Sequence, residues 1–153
     1  MSKSRPRFFR QETRYSCAPA CLRVALDALG IHLDEAQLRH LTDCSPLGTD
    51  AFQVVEAARD LGLTASRKYT LESLEELAWL IEAGNFPFVY VDMWPLQGGL
   101  VGRHHALVVI AVDQENVFIL DPLVGESKIS RQNFQAAWAA MRFLAIVISD
   151  ETP

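Results

Sequence analysis

The sequence lacks any apolar run that approaches the roughly 20 residues a helix needs to cross a membrane. Its first ten residues are basic, but the apolar segment of a secretory signal does not follow them. We therefore expect a protein that is neither inserted into a membrane nor exported.

Cysteine and positive charge are both scarce. Three cysteines, an odd number, in a chain without an export signal indicate free thiols in a cytoplasmic protein rather than a disulfide framework. The net charge of -5 argues against a nucleic-acid partner. The cations are concentrated at the start of the chain, and we expect residues 1–10 to form a flexible basic tail.

The length of 153 residues is typical of a single domain, which we expect over 1–153. Helices are predicted first and antiparallel strands afterwards, an order that indicates an α+β fold. The strand at 105–112 is apolar on both faces and should be central and covered on both sides. The predicted helices start at Cys17, after Asp34, Thr49 and Thr70, and after Ser130; the predicted strands span 65–69, 88–91, 105–112, 117–120, 126–129 and 143–148.

The helix that begins at Cys17 should be buried on all sides, because Arg23 and Asp27 are its only charged residues. Pro19 is tolerated only in a first helical turn, which places Cys17 at or just before the N-terminus. Gly30 is expected to close the helix in a left-handed conformation. Unpaired backbone N–H groups and the positive end of the helix dipole favour a thiolate at Cys17.

Cysteine nucleophiles need a base, a group that orients the base, and donors for an oxyanion. Cys17 is the candidate nucleophile, and His105 begins the central strand as a candidate base. Asp121 ends the next strand, and a turn at 113–116 brings both residues to one edge of the sheet. Simple register leaves them a few residues apart, so contact needs a bulge or a diagonal reach. Gln11, six residues before Cys17, could donate to an oxyanion beside the backbone N–H of Cys17.

The remaining cysteines and histidines have simpler interpretations. Cys21 lies one helical turn below Cys17 and is interpreted as core, and Cys44 as an incidental loop thiol. His104 points to the opposite face from His105, so only one of them can face Cys17. The spacing of these residues matches no standard zinc site, and we predict no metal.

A set of short motifs extends through nearly the whole chain. They are the step from Gln11 to Cys17, the CAPACL helix start, Gly48-Thr49 before a helix ending in DLGL, the HHALVV strand, and Leu120-Asp121-Pro122. Together these motifs resemble the bacteriocin-processing or double-glycine peptidases, family 39 of the papain-like cysteine peptidases. The most specific are the Gln-to-Cys spacing and the sixteen-residue step from His105 to Asp121.

The resemblance implies a papain-like α+β fold, with N-terminal helices packed on a C-terminal antiparallel sheet. It also implies that Cys17 is the nucleophile, His105 the general acid and base, Asp121 the group that orients the imidazole, and Gln11 part of the oxyanion hole. The reaction would be a peptide-bond hydrolysis through a thioester, without a cofactor.

In that family the peptidase removes leader peptides after a Gly-Gly pair and usually precedes an ABC exporter. No G-x-x-x-x-G-K-[ST] phosphate loop occurs here, so we expect a free-standing peptidase with a peptide or protein substrate and, at most, a separate ABC exporter as partner. The family usually has Asp-Cys-Gly at the nucleophile, where this chain has Ser16-Cys17-Ala18. Ser16, Ala18 and His104 are therefore the candidate residues of the substrate cleft.

Two other functions fit the same residues. An acyltransferase would form the same thioester and pass the acyl group to an amine, because the triad does not encode the acceptor. A binding domain would hold a peptide or partner without cutting it. Gly98-Gly99 is interpreted as part of a flexible loop at 93–103 and not as a self-cleavage site.

Overall fold

The computed structural model describes residues 6–92 and 104–150. Its helices and antiparallel strands confirm the predicted α+β class. The helices are α1 (Cys17–Ala28), α2 (Glu35–Leu41), α3 (Ala51–Asp60), α4 (Leu74–Glu82) and α5 (Arg131–Ala139). The strands are β1 (Arg67–Thr70), β2 (Phe88–Asp92), β3 (His104–Val112), β4 (Asn116–Asp121), β5 (Gly125–Ser130) and β6 (Leu144–Val147).

The six strands form one antiparallel sheet in the order β1-β6-β2-β3-β4-β5. On one face, Ala106 and Val108 of β3 pack with residues of α1, α2 and α3. On the other face, Leu107 and Val109 pack with residues of α4 and α5. The expectation that this apolar strand is central and covered on both sides is confirmed, because its alternate residues enter two separate hydrophobic cores.

Helix α1 agrees with its sequence pattern. Cys17 is its first residue, and Pro19 lies in the first turn, where its missing N–H breaks no helical bond. Nine of its twelve residues are buried, which explains why so few charges are tolerated. Gly30 follows the helix with φ +83°, a left-handed conformation in which glycine is strongly preferred.

Two helix starts differ from the prediction. Asp50, not Thr49, caps α3, because its carboxylate accepts the N–H of Gln53 while the Gln53 side chain bonds back to the Asp50 N–H. Thr70 is the last residue of β1, and α4 begins after Ser73, whose hydroxyl accepts a backbone N–H from the first turn. In both cases a better cap lies one to three residues further along the chain.

Residues 6–10 do not form the free tail that their basic composition suggested. Arg7 binds both carboxylate oxygens of Asp27 on α1, at 2.8 and 3.0 Å. The Phe9 ring packs against the core and lies 4.1 Å from the guanidinium carbon of Arg23. Ion pairing and aromatic packing fix this segment, because α1 presents its two charged residues to it.

The predicted loop at 93–103, with Gly98-Gly99, lies outside the described residues. Across residues 6–92 and 104–150, no helix combines the length and apolarity required for a membrane crossing.

Candidate active site

Cys17 occupies the N-terminus of the buried helix α1 and is itself half-buried. The first hydrogen bond of the helix runs from the Ala20 N–H to the Ser16 carbonyl at 3.1 Å. Ser16 makes no side-chain cap to the helix; its hydroxyl accepts the N–H of Thr13 at 3.0 Å instead. The Cys17 thiol therefore lies at a helix end that the neighbouring hydroxyl does not cover, where backbone N–H groups attract negative charge.

His105 and Asp121 form a buried pair, with His105 Nε2 2.7 Å from Asp121 Oδ1. Val108 of β3 pairs with Leu120 of β4. Toward the same edge of the sheet, Asp121 is one residue beyond this pair on β4, and His105 is three residues beyond it on β3. The contact is therefore diagonal, and a register shift between Val109 and Ala111 moves the two residues one position closer, so both of the alternatives left open by the sequence contribute. The same carboxylate oxygen accepts the Leu123 N–H at 2.8 Å, which fixes the orientation of Asp121.

The Cys17 side chain lies near enough to the His105 ring to affect its protonation. Burial alone lowers the pKa of His105, but the hydrogen bonds to Asp121 and Cys17 and the negative charges of both groups outweigh it and raise the pKa to about 9. Since Nε2 faces Asp121, Nδ1 is the nitrogen left for the sulfur. A protonated imidazole held in this position is a suitable partner for a thiolate.

Gln11 is buried and joined to the chain just after Asp121. Its backbone N–H donates to the Pro122 carbonyl at 2.9 Å, and its side-chain amide donates to the Thr13 carbonyl at 2.7 Å. A glutamine amide nitrogen carries two N–H donors, and this bond uses one of them. The second could serve an oxyanion.

The three cleft candidates lie in different environments. Ser16 and Ala18 are buried, at 0% and 1% exposure, and their assignment to the substrate cleft stays a prediction. The Ser16 oxygen is used by the Thr13 backbone, and the Ala18 methyl packs in the core beside the sheet. His104 is exposed at the start of β3.

The other two cysteines agree with their interpretations. Cys21 is buried in the core below Cys17, and burial raises the pKa of its thiol. Cys44 is half-buried in a loop, with its Sγ 3.8 Å from the Tyr15 carbonyl oxygen.

Sequence reasoning missed two polar residues close to the site. The Tyr90 hydroxyl, buried on β2, donates to the Thr49 carbonyl at 2.7 Å, and burial raises the pKa of Tyr90. Glu35 is a fully buried carboxylate that contacts the segment before Cys17. The sequence did not mark either residue as part of a site, because tyrosine is common in strands and glutamate is common in the first turn of a helix.

A thiol at a helix N-terminus, facing an imidazole and a carboxylate on an antiparallel sheet, is the arrangement of a papain-like cysteine peptidase fold. The sequence model of the Peptidase C39 family matches residues 5–151, and the chain belongs to this family. The resemblance inferred from the motifs is therefore confirmed. Family and fold together support a function of the cysteine-peptidase type.

Similar proteins agree with this family. An uncharacterised protein of Methanothermobacter marburgensis is 32% identical over 126 residues, which are 82% of this chain and 78% of the relative. The peptidase domain of Streptococcus ComA, a bifunctional ABC transporter in a quorum-sensing pathway, has a TM-score of 0.76 at 26% identity, covering 94% and 97% of the two chains. A double-glycine-motif protease from an AMS/PCAT transporter, solved with its leader peptide, has a TM-score of 0.72 at 21% identity, covering 97% and 94%, and shows likeness of fold.

Proposed function

We propose that this protein is a cysteine peptidase in which Cys17, His105 and Asp121 form the catalytic triad. The single observation that carries the proposal is the buried His105–Asp121 pair at 2.7 Å, whose imidazole also interacts with the Cys17 side chain. A histidine that served only the fold would not need a carboxylate on one side and a helix-end thiol on the other.

In the proposed mechanism the Cys17 sulfur attacks the carbonyl carbon of the scissile bond. The negative charge that develops on the carbonyl oxygen is stabilised by the Cys17 backbone N–H and the free N–H of the Gln11 amide. His105 gives its proton to the departing amine, which leaves a thioester on Cys17 and a neutral imidazole. The imidazole then takes a proton from water, and the resulting hydroxide releases the acid product and the thiolate. Asp121 holds the imidazole in the required orientation.

For the substrate we propose a leader peptide that is cut after a Gly-Gly pair, in the cytoplasm, with a separate ABC exporter as the partner. Membership of the Peptidase C39 family supports this proposal, as does the likeness to a peptidase domain of an ABC transporter. A cleft too narrow for a side chain would explain a requirement for glycine on steric grounds.

The reactivity of the three cysteines tests the nucleophile without knowledge of the substrate. We expect iodoacetamide to modify Cys17 at neutral pH at least about tenfold faster than Cys44, because only Cys17 has an imidazolium partner and a helix N-terminus. Peptide mass spectrometry resolves the rate at each site. Cys44 is the matched control, because it is also half-buried, and the buried Cys21 should be inert. Equal rates at Cys17 and Cys44 would contradict the assignment of Cys17 as the nucleophile.

A pair of synthetic leader peptides tests the specificity. With a peptide ending in Gly-Gly before the cleavage point, we expect kcat/KM to fall by about 10²-fold or more when the second glycine is replaced by alanine, because the methyl group would clash in a narrow cleft. Mass spectrometry identifies the products. Cleavage of both peptides at equal rates would contradict the Gly-Gly specificity. Transfer of the acyl group to the amine of an added peptide in place of hydrolysis would indicate an acyltransferase, and binding without any product would indicate a binding domain.

A further inference from the structure

One buried carboxylate takes no part in the proposed mechanism. Glu35 begins α2 and is 0% exposed. Burial raises the pKa of Glu35, while the hydrogen bonds that it accepts act in the opposite direction. A buried acidic group is costly unless its oxygens are bonded, so its partners indicate what it holds in place.

Glu35 binds the segment before α1 at two points. Its Oε1 accepts the backbone N–H of Glu12 at 2.9 Å, and the Ser16 hydroxyl, which donates to the Thr13 carbonyl at 3.2 Å, lies close enough to favour the charged form of the carboxylate. Arg39 Nε lies 3.1 Å from the other oxygen, Oε2, but it is not aimed along a hydrogen bond, so this contact is an ion pair. The positive charge of Arg39 favours the charged form of the buried carboxylate.

These two points adjoin the two groups proposed for the oxyanion hole. Glu12 directly follows Gln11, and Ser16 directly precedes Cys17. At its start the same segment is joined to the sheet, because the Gln11 N–H donates to the Pro122 carbonyl. Residues 11–17 are thus fixed to the sheet at Gln11. The Glu35 carboxylate contacts the same segment at Glu12 and Ser16, which are the neighbours of the two proposed oxyanion donors.

The hydrogen bonds of the Ser16 side chain are consistent with a role for the contact between Glu35 and residues 11–17. A serine at the N-cap of a helix ordinarily accepts an N–H from the first turn, which stabilises the helix by about 1 kcal/mol. Ser16 makes no such bond, and its hydroxyl faces Thr13 and Glu35 instead. The N–H groups at the start of α1 are thereby left without the cap that would compete with a substrate oxygen.

We propose that Glu35 is a positioning residue, which sets the distance between the Gln11 amide and the Cys17 backbone N–H by binding the residues next to both. This inference rests on the proposed function, because it assigns Glu35 to the oxyanion hole of that mechanism. Glu35 acts through the 11–17 segment and does not touch the substrate itself.

Two reactions of the same sulfur separate this role from a general effect on folding. Acylation by p-nitrophenyl acetate develops charge on a carbonyl oxygen and needs the oxyanion hole, whereas alkylation by iodoacetamide displaces iodide and develops none. In Glu35→Ala we expect acylation to fall by about 10- to 100-fold while the alkylation rate of Cys17 stays within about threefold of wild type. Glu35→Gln keeps an acceptor for the Glu12 N–H and should recover most of the acylation rate.

The control is Leu77→Ala, which removes a fully buried side chain on the opposite face of the sheet. It should lower stability without changing the ratio of the two rates. If Glu35→Ala lowers both rates together, or neither, Glu35 is a structural residue and the inference is wrong. If Glu35→Ala does not fold, Ser16→Ala takes its place, since it removes one end of the same link, and it should lower acylation selectively by about fivefold.

Hydrogen exchange gives a readout that does not depend on activity. Glu35→Ala should speed the exchange of the backbone amides at 12–16 by about tenfold or more relative to Leu77→Ala, because the Glu12 N–H loses its acceptor. If the exchange of the amides at 12–16 is unchanged in Glu35→Ala, the proposed role of Glu35 is wrong, whatever the acylation rate of the variant. Conversely, a wild type that exchanges as expected but is not acylated by the ester would contradict the proposed peptidase function and leave the link of Glu35 to this segment intact.

Discussion

Replacing His105 with alanine is expected to lower the rate at which Cys17 is acylated by about 10³-fold, which is the size of effect typical of removing a general acid and base from a triad. Without the imidazole, the Cys17 sulfur loses the partner on β3 that activates it as a nucleophile, whether it attacks an ester or an alkyl iodide. The measurement is the burst of p-nitrophenol from p-nitrophenyl acetate, with the iodoacetamide rate of Cys17 followed in parallel. In contrast to the Glu35 variants, both rates should fall together.

The matched control is His104→Ala, one residue earlier on the same strand. His104 is exposed, whereas His105 is buried against Asp121. Neither small probe contains a peptide that would occupy the cleft for which His104 is a candidate, so removal of His104 should leave both rates within about twofold of wild type. Equal losses in the two variants would mean that the effect comes from the strand and not from the imidazole. A normal rate in His105→Ala would exclude His105 as the base.

The catalytic candidates were predictable because each carries a strong local signal. Cys17 precedes a proline that must lie in a first helical turn, and His105 lies near the start of an apolar strand that both cores cover. The pairing of His105 with Asp121 was predictable only as a possibility, because strand register alone leaves the two residues two steps apart. The diagonal contact at 2.7 Å is a property of the folded sheet that a linear pattern does not specify.

Other features depended on contacts that sequence patterns do not contain. The position of β6 between β1 and β2 joins strands far apart in the chain, and no local propensity encodes that order. Likewise, Ser16 and Ala18 flank the nucleophile in sequence but point into the protein, because the first turn of α1 is packed against the sheet. Glu35 carried no signal in the sequence, because only the folded structure brings Glu12 and Ser16 to its carboxylate.

The same His105–Asp121 pair makes the stability of the fold depend on pH in a defined window. The folded-state pKa of His105, about 9, lies above the ordinary value of 6.5, so the folded protein holds this proton more tightly than the unfolded chain does. The resulting stabilisation is fully present below about pH 6.5 and is lost as the pH rises through about 9. A shift of this size corresponds to about 3 kcal/mol in the free energy of unfolding.

Urea unfolding at pH 6 and pH 10, in the presence of a reductant, measures this effect. Wild type should lose about 3 kcal/mol more between the two pH values than His105→Gln, which cannot hold the proton. His104→Gln should behave as wild type, because that side chain is exposed. In Asp121→Asn the decrease between pH 6 and pH 10 should shrink, since burial then acts on the imidazole without the carboxylate that opposes it. An identical pH dependence in wild type and His105→Gln would mean that folding does not raise the pKa of His105, so that neither Asp121 nor Cys17 helps the imidazole to hold its proton.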